Sequence, residues 1–228
     1  LVDHRGVGGS EDPGGPFTTA DLADDAAALL EAIHVERADV LGVFLGGMVA
    51  QELALRHVAR VERLVLVGTW ARPDAKRRLL LEHWRELARG GAPLLALVRE
   101  RLLWTLADET LEQQDLIDAM VTFFTRDEPP LTPDVFARQC EACLAHDSAD
   151  RLRWLRQRTL VVCGRHDQLA PPKFSRELAD EIPDAHLVTI QGSGHVVMVE
   201  AVERFNRLVL QFLDDERQDP GDAVIGSA

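Results

Sequence analysis

The apolar positions of this chain follow two alternating patterns, which predict a sheet covered by helices. Short continuous apolar runs, typical of buried strands, occupy residues 38–43, 61–67, 160–163 and 187–190. Apolar residues at helical spacing separate these runs, so strands and helices alternate in chain order. This alternation indicates an α/β fold in which the strands are mostly parallel and are connected by helices.

Four helices are predicted around the strands. Threonines suit a helix N-cap, and proline suits the first helical turn, so Thr18 or Thr19 and the pair Pro171-Pro172 mark two of the starts. The first helix ends near His34, and its apolar face consists of Leu22, Leu29, Leu30 and Ile33. The second helix covers about 48–57, and the third covers about 171–182. The fourth carries Phe205, Leu208, Val209 and Phe212 at helical spacing.

Residues 71–150 show a different pattern, with helical spacing throughout. The helical runs cover 79–87, 94–106, 111–124 and 133–144, with breaks at Gly90-Gly91 and Pro129-Pro130. A helical insertion after a strand of a parallel sheet is expected to lie over the strands' carboxyl ends, where α/β proteins bind ligands. The expected organisation is a core of residues 1–70 and 151–213, a helical lid of residues 71–150, and a disordered tail of residues 214–228.

Composition narrows the functional classes. The 228 residues carry a formal net charge of −13, which argues against a nucleic acid or an anionic membrane surface as partner. No apolar run is long enough to cross a membrane, and Leu1–Arg5 is not a targeting peptide. Three cysteines without a second metal-binding pair indicate a reduced, cytoplasmic protein with no zinc site. The sequence implies no cofactor.

Three stretches carry candidate chemistry, and their order along the chain is informative. They are Asp3-His4-Arg5-Gly6-Val7-Gly8-Gly9-Ser10, then Gly42-Val43-Phe44-Leu45-Gly46-Gly47, then Gly164-Arg165-His166-Asp167 followed by Gly194-His195. In this order they resemble the sequence motifs of the α/β-hydrolase family. The resemblance covers nearly the whole chain. The resemblance is closest to small capped carboxylesterases and enol-lactonases, whose nucleophile turn commonly reads Gly-Val-Ser-Leu-Gly-Gly-Met.

The resemblance implies a role for each matching position. Position 44 corresponds to the serine nucleophile, Asp167 to the acid, and His195 to the base, while the N–H of Leu45 would stabilise the oxyanion. Here the nucleophile position is Phe44, and a phenyl ring cannot form an acyl-enzyme. We also expect substrate contacts from Trp70, which follows the strand leading into the lid, and from Leu169 and Val196.

Phe44 raises a structural question as well. An aromatic residue held in the strained backbone of such a turn costs on the order of 1–3 kcal/mol. Either its ring fills the acyl pocket and regains roughly 1.5–3 kcal/mol by burial, or the turn has relaxed. Family members also place a strand and a His-Gly pair upstream of the first motif, and Leu1 lies after that point. We therefore expect a cut or processed start, with an unpaired flank on strand 38–43.

Other polar residues have simpler interpretations. Asp3 and Arg5 are expected to brace their loop, and Asp167 could also cap the helix at Pro171-Pro172. Ser10 and Ser193 lie near the site loops but not on the nucleophile turn, so both are poor substitutes for the missing hydroxyl. The remaining chemistry-bearing residues are expected to be structural, with Cys163 as an inert thiol and Trp84 and Trp104 in the lid core.

Three functions remain open from the sequence. The chain could be a carboxylesterase or lactonase relative acting on a small acyl substrate, disabled or impaired by Phe44. It could instead be an enzyme without a nucleophile, in which His195 and Asp167 act as a general base for elimination, cyclisation, decarboxylation or cofactor-free oxygenation. The third possibility is a non-catalytic module that binds a small apolar ligand or a protein. The sequence does not define an oligomeric state.

Overall fold

A parallel four-stranded sheet forms the centre of the protein. The structure, a computed structural model, describes residues 1–125 and 131–214. The strands lie in chain order across the sheet, and they are β1 (Ala38–Val43), β2 (Val61–Val67), β3 (Arg158–Gly164) and β4 (Ala185–Ile190). All three neighbouring pairs are parallel, which confirms the predicted α/β architecture.

Ten α-helices in the described residues surround the sheet. They are α1 (Thr19–Ala32), α2 (Leu45–Arg56), α3 (Ala75–Arg89), α4 (Leu94–Thr105), α5 (Asp108–Leu111), α6 (Gln114–Phe124), α7 (Pro133–Ala145), α8 (Pro172–Glu181), α9 (Val197–Glu200) and α10 (Val202–Asp214). Two 3₁₀ turns, Val58–Arg60 and Ala149–Trp154, precede β2 and β3. The helix predicted over 111–124 is divided into α5 and α6, with a break at Glu112 and Gln113.

The two faces of the sheet are covered differently. Alternate residues of β2 point to opposite faces, because side chains alternate along a strand. Leu64 and Leu66 join a cluster that also contains Met48 of α2 and Phe174 of α8. On the other face, a second cluster combines strand residues with the apolar stripe of α10, and its members include Val65, Val67, Leu160, Val162, Phe205, Leu208, Val209 and Phe212.

The prediction for α1 is only partly correct. Thr18 caps this helix as expected, since its hydroxyl accepts from the Asp21 N–H and the Asp21 carboxylate accepts from the Thr18 N–H. Leu22 is fully buried, whereas Leu29 and Ile33, which share its helix face, are 38% and 56% exposed. The face is apolar along its length, but the described residues cover it only near the helix start.

Strand β1 lies at one edge of the described sheet. It pairs with β2 along Val40–Val43, and no described residue pairs with its other flank. Leu41 is 43% exposed there, whereas β2 and β3 are almost entirely buried. The unpaired flank expected for residues 38–43 is therefore present in the described part of the chain.

Two predictions fall on residues that the structure does not describe. These are the break at Pro129-Pro130 and the disordered tail, of which only Asp214 is described, as the last residue of α10. Within the described ranges, none of the helices combines the length and apolar character that a membrane span requires.

Candidate active site

The turn between β1 and α2 is sharp, and Phe44 stands at its tip. Phe44 has φ 47° and ψ −108°, a backbone conformation that bulky side chains rarely adopt. Its N–H donates to the Val67 carbonyl at 3.0 Å, and its carbonyl accepts from the Thr69 hydroxyl at 2.8 Å. These bonds to the end of β2 hold the strained geometry in place, so the turn has not relaxed.

Two glycines make this turn possible. A Cβ on Gly42 would lie 2.2 Å from the carbonyl oxygen of Gly46, and a Cβ on Gly47 would lie 2.7 Å from the Thr69 side chain. Neither position accepts a larger residue without moving the backbone of the turn or the β2 loop. The glycine spacing of the motif therefore reflects close approach between strand, helix and loop.

The ring of Phe44 lies between two other aromatic rings. Its centroid is 5.0 Å from Trp70, with planes at 86°, and 5.2 Å from the His195 imidazole, with planes at 80°. Edge-to-face pairs of this kind contribute roughly 0.5–1.5 kcal/mol beyond burial. The contacts offset part of the backbone strain at Phe44 and place its ring directly beside the histidine.

Asp167 and His195 meet at the carboxyl end of the sheet, because Asp167 follows β3 and His195 follows β4. Their side chains are buried, and His195 Nδ1 lies 2.9 Å from Asp167 Oδ2. The second oxygen of Asp167 accepts the Ala170 N–H at 2.7 Å, so this carboxylate orders its own loop and does not cap α8, which starts at Pro172.

This pairing defines the chemistry of the imidazole. A carboxylate at Nδ1 selects the tautomer with the proton on that nitrogen, which leaves Nε2 as the proton acceptor. No described residue forms a hydrogen bond with Nε2 of His195, although the side chain lines a cavity. The dyad is therefore arranged to accept a proton from a group in that cavity.

Glu200 holds the histidine loop, although it was not among the residues predicted for the site. One carboxylate oxygen accepts the Ala107 N–H at 2.7 Å, while the other accepts the Gly194 N–H at 2.6 Å and the Ser193 hydroxyl at 3.3 Å. The His195 N–H in turn donates to the Thr105 carbonyl at 2.7 Å. The sequence signal that could have identified Glu200 is its place as a single acidic residue directly after the apolar run 196–199.

Gly68 is a second missed residue of the site. It has φ +52°, and a Cβ there would lie 3.0 Å from His195 Nδ1 and 3.4 Å from Asp167 Oδ2. Absence of a side chain at the end of β2 therefore leaves room for the dyad. Its signal was a glycine directly after a continuous buried strand.

A cavity of about 380 Å³ opens beside the dyad. Phe44, Leu45, Leu169, His195 and Val196 line it from the sheet side. As the first residue of α2, Leu45 has an N–H without a carbonyl partner inside the helix. The opposite wall comes from helices between β2 and β3, and includes Trp84, Arg101, Met120, Phe136 and Cys140.

Comparison with known proteins agrees with this geometry. The sequence profile described as alpha/beta hydrolase fold matches residues 1–202. The chain belongs to the α/β-hydrolase fold family. It is 33% identical over 217 residues, covering 95% of this chain and 80% of the relative, to RutD of Caulobacter sp. (strain K31), which is named as a proposed carbamate hydrolase.

Two solved enzyme structures superpose closely on this chain. The enol-lactonase of Burkholderia xenovorans LB400 has a TM-score of 0.84 and 30% identity, covering 93% of this chain and 79% of that one. A thermophilic esterase of Thermogutta terrifontis has a TM-score of 0.81 and 26% identity, covering 93% of this chain and 78% of that one.

Among α/β-hydrolase site residues expected from the sequence, Trp70 is placed differently from the others. It is fully buried, packs against Phe44 and against Phe174 at 5.5 Å, and does not line the cavity. Trp70 therefore supports the ring of Phe44 from behind. Leu45, Leu169 and Val196 do line the cavity, together with Trp84, which the sequence assigned to the lid core.

The other hydroxyls and thiols do not replace the missing nucleophile. Ser193 donates to Glu200, and Ser10 donates to the Asp3 carbonyl at 2.7 Å. Cys140 and Cys143 line the cavity, but burial raises the pKa of Cys140 to about 12 and that of Cys143 well above its ordinary value. Both are neutral thiols at pH 7, and neutral thiols are poor nucleophiles.

Two further findings complete the description of the site. Arg5 forms a bidentate pair with Asp25 of α1, with both nitrogen–oxygen distances below 3 Å, so it braces the first loop as expected. The described residues contain no cluster of His, Cys, Asp or Glu arranged to hold a metal ion.

Proposed function

We propose that this chain carries the substrate site of a small-molecule carboxylic-ester hydrolase whose nucleophile position is blocked by Phe44. The observation that carries the proposal is the position of the Phe44 ring. It stands at the tip of an intact, strained nucleophile turn and contacts the imidazole of an intact His195–Asp167 pair. An acyl-enzyme cannot form at this carbon side chain, so the protein as it stands is inactive or impaired as an ester hydrolase.

The remaining groups have defined roles in this proposal. His195 Nε2 accepts the proton of an attacking hydroxyl, and Asp167 stabilises the imidazolium that results. The N–H of Leu45, at the start of α2, donates to the oxyanion of a tetrahedral intermediate, where the helix dipole adds to the stabilisation. For ester hydrolysis, these groups act only when a nucleophile is present at position 44.

The helices of residues 71–150 act as a lid in this proposal. They supply the wall of the cavity that faces the dyad, and that wall is mostly apolar. A small acyl compound with an apolar body fits such a cavity. The names of the relatives, which include an enol-lactonase and an esterase, support an acyl substrate. The three free, buried cysteines support a reducing, cytoplasmic location.

Restoring the hydroxyl tests the proposal. Phe44→Ser should create hydrolysis of 4-nitrophenyl acetate and butyrate, and labelling by a fluorophosphonate probe that reacts with activated serines. Phe44→Ala, which empties the same space without adding a nucleophile, is the matched control and should remain inactive. The double variant Phe44→Ser/His195→Ala should lose both signals. A folded Phe44→Ser variant that stays inert with every ester and with the probe would refute the proposal.

A second candidate function rests on the free side of the imidazole. His195 Nε2 lacks a hydrogen-bond partner among the described residues and faces the cavity, so the dyad can remove a proton from a bound compound without any serine. The test substrate is 5-nitrobenzisoxazole, whose ring opens on deprotonation. Saturable turnover that His195→Ala abolishes would support this function. Binding without turnover would instead indicate a non-catalytic ligand-binding protein.

A further inference from the structure

We propose that the cavity selects compounds that carry a carboxylate, and that the Arg101 guanidinium binds this group. The inference deepens the proposed function, because it assigns a substrate class to the same site. It depends on a side chain of α4 that the proposed chemistry at Phe44 and His195 does not use.

Arg101 lies in the cavity wall without a counter-ion. Its Cζ is 5.2 Å from the centroid of Phe136 and 5.9 Å from that of Phe124, and no described residue forms an ion pair or a side-chain hydrogen bond with it. Other arginines of this acidic chain have carboxylate partners, for example Arg138 with Asp12. The cavity lining contains no Asp or Glu among the described residues.

The unpaired charge lies in a partly buried position. Arg101 as a whole keeps partial exposure, and burial lowers the pKa of its guanidinium from the ordinary value. An arginine nevertheless stays protonated at neutral pH. The two ring contacts offset part of the lost hydration as cation–π interactions. Cys140 is the ionisable group whose charge would act on Arg101, and its raised pKa keeps the thiol neutral. An anion from solution would supply the missing counter-charge.

A second unpaired donor lies on the same ring. Trp84 packs against Phe136 with centroids 6.2 Å apart, and it lines the cavity. Its Nε1–H is buried and has no hydrogen-bond partner among the described residues. The Arg101 guanidinium and the Trp84 indole therefore contact the same Phe136 ring. The guanidinium donates several hydrogen bonds, which a carboxylate accepts at once and a neutral apolar ligand would leave unmade.

The anion site and the dyad share one cavity. Arg101 and Thr105 are one helical turn apart on α4, and the Thr105 hydroxyl donates to the Arg101 carbonyl at 3.0 Å. Thr105 also accepts the His195 N–H through its own carbonyl. Four residues rise roughly 6 Å along an α-helix. A short compound with a carboxylate at one end and an acyl group at the other can therefore contact both Arg101 and the dyad.

Calorimetric titration of the chain with matched acids and amides tests the inference. The probes are butyrate, hexanoate and phenylacetate, each compared with its uncharged amide. We expect at least one acid to bind about tenfold or more tightly than its amide, since charge-assisted bidentate bonds are roughly twice as strong as neutral ones. Arg101→Met, which keeps the length but removes the charge, should abolish this preference. Arg99→Met, an exposed change on the same helix, should not.

Binding of the amides shows whether Arg101→Met retains a folded cavity. Loss of acid binding with unchanged amide binding is then due to the missing charge. If no acid binds more tightly than its amide, or if Arg101→Met keeps the preference, the inference is wrong. In the Phe44→Ser background, 4-nitrophenyl hemisuccinate should be favoured over 4-nitrophenyl butyrate, and Arg101→Met should reverse that order. Failure of both esters would refute the proposed function, while the binding comparison would still decide the role of Arg101.

Discussion

Removal of the Glu200 carboxylate should destabilise the protein far more than its location in a short surface helix suggests. The carboxylate accepts two backbone N–H groups, from Ala107 and Gly194, and a hydroxyl from Ser193. Ala107, Gly194 and Ser193 are all buried, so Glu200→Ala leaves their donors without an acceptor. Each unsatisfied buried donor costs about 1–3 kcal/mol.

Water can reach part of the vacated space, because Glu200 is itself partly exposed. We therefore expect a loss of about 2–4 kcal/mol in the free energy of unfolding, counting mainly the two backbone donors. For a chain of this size that corresponds to a fall in Tm of roughly 5–15 °C. Glu200→Gln should show about half the loss, since the amide keeps one acceptor oxygen but turns a donor toward the other N–H.

Urea unfolding monitored by tryptophan fluorescence measures the change. Glu203→Ala is the matched control, because Glu203 is exposed three residues later and should change stability by less than about 0.5 kcal/mol. A Glu200→Ala variant as stable as this control would show that the three bonds do not hold the loop. In the Phe44→Ser background, Glu200→Ala should also lower kcat, because Gly194 directly precedes His195.

The other two predictions concern Gly68 and His146. Gly68→Ala should cost about 1–2 kcal/mol and, in the Phe44→Ser background, lower kcat by displacing His195. At Gly91 φ is also positive, at +76°, but no atom lies within 4 Å of an added Cβ, so Gly91→Ala should cost stability without affecting kcat. Equal kcat values for the two variants would contradict this prediction. Burial lowers the pKa of His146 to about 4. The unfolded chain then takes up a proton below about pH 6.5 while the folded chain does not, so stability should fall by about 2–3 kcal/mol between pH 6.5 and 4. Urea unfolding across this range should show a shallower fall for His146→Gln than for the exposed control His83→Gln.

Much of the fold follows from the sequence, because local pattern and local chemistry agree. Strands β1 and β2 have the predicted limits, and the continuous apolar run of β2 is buried on both faces along residues 64–67. Leu29 and Ile33 were predicted on the apolar face of α1 and are exposed, because an apolar helix face indicates only which side is suited to burial. The pattern cannot show whether another element covers it.

For the site, the sequence supplied the positions of Phe44, Asp167 and His195 through their places after strands. Parallel strands bring such positions to one edge, but only the tertiary structure set the 2.9 Å contact and the direction of the Phe44 ring. Glu200 and Gly68 were missed because the main partners of Glu200 are backbone N–H groups and Gly68 acts by leaving space free. The residue types at these two positions do not by themselves identify such contacts.

The sequence by itself determined the order of the elements, the absence of a nucleophilic atom at position 44, and the acidic character of the chain. The tertiary structure decided which side chains line the cavity and which lie behind it. Trp70 and Arg101 show the difference. The first packs behind Phe44, and the second lines the cavity without a counter-ion among the described residues. Periodicity defines the face of a helix or strand, whereas contact between distant segments depends on how the helices and the sheet pack in three dimensions.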